Sequence, residues 1–74
     1  MVVLFNAGYL RTLRKKAGLT QAQLAERSEL SERQIRQLEG GKVTQPFADT
    51  LFRISRILGV NMEDLLELKE EALL

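Results

Sequence analysis

The 74-residue chain contains no cysteine and no histidine. The first absence excludes disulfides and thiolate metal sites. The second removes the commonest general base and the commonest metal ligand. A chain this short also lacks the length to build a cleft, and no nucleophile is spaced against a base. No enzyme, catalytic residue, metal or cofactor is therefore expected. The sequence has no long apolar run either. The opening Met1-Val2-Val3-Leu4-Phe5 is far too short for a signal peptide or a membrane span, so a soluble, cytoplasmic chain with no membrane partner is expected. No internal repeat, low-complexity linker or alternating strand pattern stands out, which leaves one domain over residues 1–74. Such a small domain relies on idealised helix packing or on a second subunit.

The net charge is only +1, but its distribution is uneven. Residues 1–16 carry Arg11, Arg14, Lys15 and Lys16 and no acid. Residues 17–45 balance four bases with four acids, and residues 46–74 carry three bases against six acids. A basic end opposite an acidic end suits a protein with one face on phosphate and the other turned away. Lopsided charge also arises by chance in small domains, so it does not decide the function.

Apolar spacing reads as helix almost throughout, and punctuation cuts it into a compact all-α bundle of five short helices. The first spans about Ala7 to Ala17, with Asn6 as N-cap, a buried stripe of Leu10, Leu13 and Ala17, and Gly18 as its stop. Thr20 and Gln23 have capping-box spacing at the start of the second, whose core residues are Leu24 and Ala25 and which ends near Arg27 or Ser28. Ser31 and Gln34 repeat that spacing for the third, with Ile35 and Leu38 inward and Gly40-Gly41 as terminator. Lys42 to Gln45 reads as a loop. Pro46 suits the first turn of the fourth helix, with Leu51, Ile54, Ile57 and Leu58 as its stripe and Gly59 at its end. Asn61 then caps a fifth helix, with Asp64 three residues on and Met62, Leu65, Leu66 and Leu73 apolar.

The informative unit is the pair of short helices from Thr20 to Glu39. A small residue, Ala25, allows the two to cross closely. Ile35 and Leu38 lock the third helix inward, and at 100° per residue its opposite face holds Glu32, Arg33, Arg36, Gln37 and Gly40. Such side chains read base edges: Arg pairs with guanine, Gln with adenine, and Glu accepts from cytosine.

At this point the sequence resembles the Cro/phage-repressor (XRE-like) helix-turn-helix family. The resemblance runs through Leu10-Arg11-Thr12-Leu13-Arg14, Gly18-Leu19-Thr20-Gln21-Ala22-Gln23-Leu24-Ala25, Leu30-Ser31, Ile35, Leu38-Glu39-Gly40-Gly41-Lys42, Pro46, Thr50-Leu51, Leu58-Gly59-Val60 and Leu65-Leu66. It covers about residues 8–68. It implies a five-helix domain with the third helix as reader in the major groove of double-stranded DNA. It also implies roles for single residues. Glu32, Arg33 and Gln37 fall at base-reading positions. Gln21 falls where a glutamine bonds phosphate and braces the reader, and Arg36 and Lys42 lie near backbone phosphate. Arg14 and Glu39 match a structural ion pair between the first and third helices. Three departures stand out. Glu29 occupies a turn position where the family often has glycine in a left-handed conformation. The loop before Pro46 is one residue longer than the commonest form. Phe47 replaces a capping serine.

Plainer readings stand beside these. Gln23 and Gln34 serve as capping partners only, Glu32 in a first turn also complements the helix dipole, and Arg11, Lys15 and Lys16 read as solvated charge. The two ends, with Val2 to Phe5 and residues 61–74, carry more apolar surface than a tiny core covers. They either pack on each other or form a two-fold homodimer, and the second is the expectation here. The function expected is that of a dimeric, sequence-specific transcriptional repressor or autoregulator. The alternative is a protein-interaction module, an antitoxin-like or adapter component, and a protein partner for regulation is compatible with either.

Overall fold

The computed structural model describes residues 1–70. Its elements are β1 (Val2–Phe5), α1 (Ala7–Lys16), α2 (Gln21–Ser28), α3 (Glu32–Glu39), α4 (Ala48–Leu58), a single 3-10 turn (Met62–Leu65) and β2 (Leu66–Lys69). Among the described residues the bundle therefore has four helices and a small two-stranded sheet, not five helices.

The first three helices begin where polar side chains satisfy free backbone donors. Asn6 Oδ1 accepts from Tyr9 N–H at 3.0 Å ahead of α1. Thr20 and Gln23 cap each other's backbone at 3.1 and 2.9 Å. Ser31 and Gln34 do the same at 3.1 and 2.8 Å. Each such cap is worth about 1 kcal/mol. Ala17, expected in the buried stripe of α1, instead lies exposed at the C-cap. Pro46 does not enter α4. It precedes the N-cap residue Phe47, whose side chain supplies no cap. Ile57 also departs from the expected stripe and is 38% exposed, because the groove between α4 and the end of α2 leaves it uncovered.

The core closes on five fully buried side chains, Leu10, Leu24, Ile35, Ile54 and Leu65, with Phe5, Leu19, Leu38 and Leu51 around them. One comes from each helix and one from the 3-10 turn. Burial of each is worth roughly 1.5–3 kcal/mol, so the elements hold one another rather than standing alone.

The segment expected as a fifth helix makes only the one turn. Asp64 Oδ2 accepts from Asn61 N–H at 3.0 Å, and then the backbone extends. β2 runs antiparallel to β1 with Val2 opposite Lys69, Val3 opposite Leu68, Leu4 opposite Glu67 and Phe5 opposite Leu66. The sequence Leu66-Glu67-Leu68-Lys69 alternates, as a half-covered strand requires. Pairing satisfies backbone groups of both ends and draws Phe5 into the core. The two ends thus pack on each other in the form of a ribbon. Leu73 lies outside the described residues. No helix among the described residues is long and apolar enough to cross a membrane.

Candidate nucleic-acid interface

Between α2 and α3 the chain turns at Glu29, which has φ 58° and ψ 38° and is the one non-glycine residue with positive φ among the described residues. That left-handed conformation costs a side-chain-bearing residue about 1 kcal/mol. The turn is fixed by Leu30 N–H donating to Ala25 O at 2.8 Å. Ala25 is 3% exposed, and its small side chain suits the close approach of the two helices. Ile35 and Leu38 are 0% and 2% exposed and root α3 in the core. At its far end α3 stops at Gly40, and Gly41 takes φ 75°, which glycine adopts at little cost.

A second anchor holds the C-terminal end of α3. The Arg14 guanidinium meets the Glu39 carboxylate side-on, with Nε on Oε2 and Nη2 on Oε1 at 3.0 Å. Arg14 Nη1 donates to Leu19 O at 2.8 Å, and Gln21 Nε2 donates to Glu39 Oε1 at 3.1 Å. The Arg14 and Glu39 side chains are only 11% and 4% exposed. An anion at a helix C-terminus opposes the helix dipole, so Glu39 owes its place to these tertiary partners. Burial alone would raise its pKa. The hydrogen bonds from Arg14 and Gln21 and the nearby charges of Arg14 and Arg11 outweigh that and hold it below the ordinary carboxylate value. The hydrogen bond to Glu39 raises the Arg14 pKa, against burial and with help from the carboxylate charge. Arg14, Gln21 and Glu39 thus tie α1, α2 and α3 together.

The outer flank of α3 is polar. Glu32, Arg33 and Arg36 are exposed and Gln37 is half-buried. The structure separates these residues into two groups. Glu32 and Arg36 pair with each other, Nη1 to Oε2 at 3.0 Å, with both side chains about half exposed. Arg33 and Gln37 have no side-chain hydrogen bond or ion-pair partner among the described residues, and exposed Lys42 follows just beyond the helix. Gln21, expected to serve both phosphate and brace, has its amide nitrogen on Glu39. One neighbour of this flank has no role in the sequence reading. Phe47, at the start of α4, is 84% exposed and shares a cleft with Gln34 and Gln37. Its place was signalled only by the missing capping serine. Leu19, buried and bonded to Arg14, was also not among the expected core residues, because it falls between helices.

Two short helices joined at a left-handed turn, the second rooted inward and polar outward, make this a helix-turn-helix protein. Residues 10–65 match the helix-turn-helix family model, and the chain belongs to that family, whose Cro- and phage-repressor-like members are DNA-binding regulators. The structure is similar to the P22 c2 repressor in complex with a synthetic operator (TM-score 0.76, 28% identity, 82% of this chain and 91% of that one). It is similar to the N-terminal DNA-binding domain of the biofilm regulator SinR from Bacillus subtilis (TM-score 0.77, 26% identity, 88% and 94%). It also resembles the clp gene regulator ClgR from Corynebacterium glutamicum (TM-score 0.71, 29% identity), where the match covers 80% of this chain and 62% of that one. No curated protein sequence matches the chain significantly.

Proposed function

We propose that the protein is a sequence-specific transcriptional regulator, a repressor or autoregulator, that binds a pseudo-palindromic duplex site as a homodimer. The observation that carries this reading is the outward flank of α3, with Arg33 and Gln37 unengaged, on a helix rooted by Ile35, Leu38 and the Arg14–Glu39–Gln21 brace. Preorganised donors on a fixed helix lose little freedom on binding. The operator held by the P22 c2 repressor supports the choice of ligand.

In this reading Arg33 and Gln37 discriminate bases, and Lys42 and the N-terminal side of α2 at Gln21 meet phosphate. Arg36 reaches phosphate by releasing Glu32. An exposed i,i+4 pair is worth only about 0.3–0.5 kcal/mol, so release is cheap and frees Glu32 for a base edge as well. Dimerisation draws on the ribbon, where Val3 and Leu68 face each other at 45% and 66% exposure. Two readers one DNA turn apart require half-sites about 34 Å from centre to centre.

Selection of sites from random duplex DNA, followed by a salt titration, tests the proposal. Paired half-sites and affinity falling steeply with salt are expected. Salt-insensitive association with a protein, and no preferred duplex, would instead establish the protein-interaction module.

A further inference from the structure

Beside Gln37 lies a cleft of about 190 Å³ between α3, the loop after it and the start of α4. Leu38, Val43, Pro46 and Phe47 give it apolar walls, and Gln34, Gln37 and Gln45 add three carboxamides. None of the residues lining it is charged. A phosphate would find no cation there, and a charged peptide no counter-charge. The composition suits a neutral group that bears hydrogen-bonding atoms on one edge and a small apolar substituent next to them. A base pair displayed in the major groove has that form when it contains thymine, whose C5-methyl sits beside O4 and across from the N6 and N7 of adenine.

Phe47 is held ready for such a contact. Its carbonyl accepts from Leu51 N–H at 3.2 Å in the first turn of α4, and Leu51 is 7% exposed. Pro46 in front of it has a fixed φ. The phenyl group is nonetheless 84% exposed and has no polar atom to offer water. Gln34 is oriented as well, since its Oε1 already accepts from Ser31 N–H, which leaves its amide hydrogens as donors.

We propose that Phe47 is a further specificity-determining residue: with the cleft it seats a thymine C5-methyl while Gln37 pairs with adenine, so that the two together read an A·T pair or adjacent A·T pairs. The proposal rests on the DNA-reading role of α3.

Replacing single thymidines of the selected site by deoxyuridine removes only the methyl group and tests this directly. At one position per half-site the swap should weaken binding by wild-type protein about four-fold, the worth of one buried methyl. Phe47→Ala should bind that site more weakly and no longer sense the swap, while Phe47→Leu keeps part of the discrimination. Gln37→Ala should still sense the methyl and lose its preference for adenine. Because the side chain is exposed, both Phe47 variants should melt like wild type. Indifference of the wild type to deoxyuridine at every position overturns the proposal. So does an equal penalty in wild type and Phe47→Ala, or a change in oligomeric state as the effect of Phe47→Ala. Failure of wild-type protein to prefer any duplex overturns the regulator reading together with this one, so the two failures are distinguishable.

Discussion

Glu39 is a carboxylate with almost no access to water, and what surrounds it decides how α3 is oriented. Removing one partner of such a pair strands the other, at a cost of about 3–5 kcal/mol. Arg14→Ala or Glu39→Ala should therefore lower the midpoint of urea unfolding severely, well beyond any exposed charge in the chain. The same pair fixes a pH dependence. The pKa of Glu39 is held below its unfolded value of about 4.3, so its contribution to stability is complete above that pH and is lost as pH falls through the folded value. Urea titrations between neutral pH and pH 2 should show this loss, and Glu39→Gln should flatten it. Glu29 works in the opposite direction. Glycine at that turn relieves the left-handed strain, while only the 3.7 Å contact to Arg53 is given up. Glu29→Gly should then stabilise by about 1 kcal/mol, seen as a melting point higher by roughly 4–8 °C.

Among the elements, α3 was the most legible in the sequence. Its capping box, its inward Ile35 and Leu38 and its glycine stop are all local, and local patterns survive folding. The Arg14–Glu39 contact was readable only through the family resemblance, because nothing near either residue announces a partner 25 positions away. The ribbon was missed for a related reason. Val2 to Phe5 is apolar throughout and Leu66 to Lys69 alternates over only four residues, so neither pattern stands out alone and each becomes a strand only when the other arrives. The tandem leucines at 65 and 66 fit a helical stripe as well as the end of a 3-10 turn followed by a strand. Phe5 at 5% exposure gives the ribbon its hold, and Phe5→Ala should cost about 3–5 kcal/mol in urea unfolding. Substitution on the outer flank of α3 should behave differently. Arg33→Ala should leave unfolding within about 0.5 kcal/mol of wild type and cost about 1–3 kcal/mol of binding together with relaxed preference at one base pair, measured against a panel of single-base variants.

For the molecule as a whole, a net charge of +1 says little, and the position of each charge says more. Arg14 is spent inside the fold and Arg53 on Asp49 and Glu29. Attraction to a polyanion then falls to exposed cations such as Lys42. Lys42→Ala should weaken binding to all duplexes alike and lower the slope of log affinity against log salt by about one.

The ribbon does more than fasten the two ends. Phe5 N–H donates to Thr44 O at 2.8 Å, and Asn6 N–H to Leu65 O at 2.8 Å. The first strand is therefore stitched to the very stretch of backbone that leads into Phe47. Fraying of β1 should slacken that stretch before it disturbs the helices. In amide exchange, a protein trimmed by its first four residues should lose protection around positions 44–50 while Ile35 and Leu38 stay slow. Under the proposed function, a clip within β1 would thus weaken binding to duplex DNA while α3 itself remained folded.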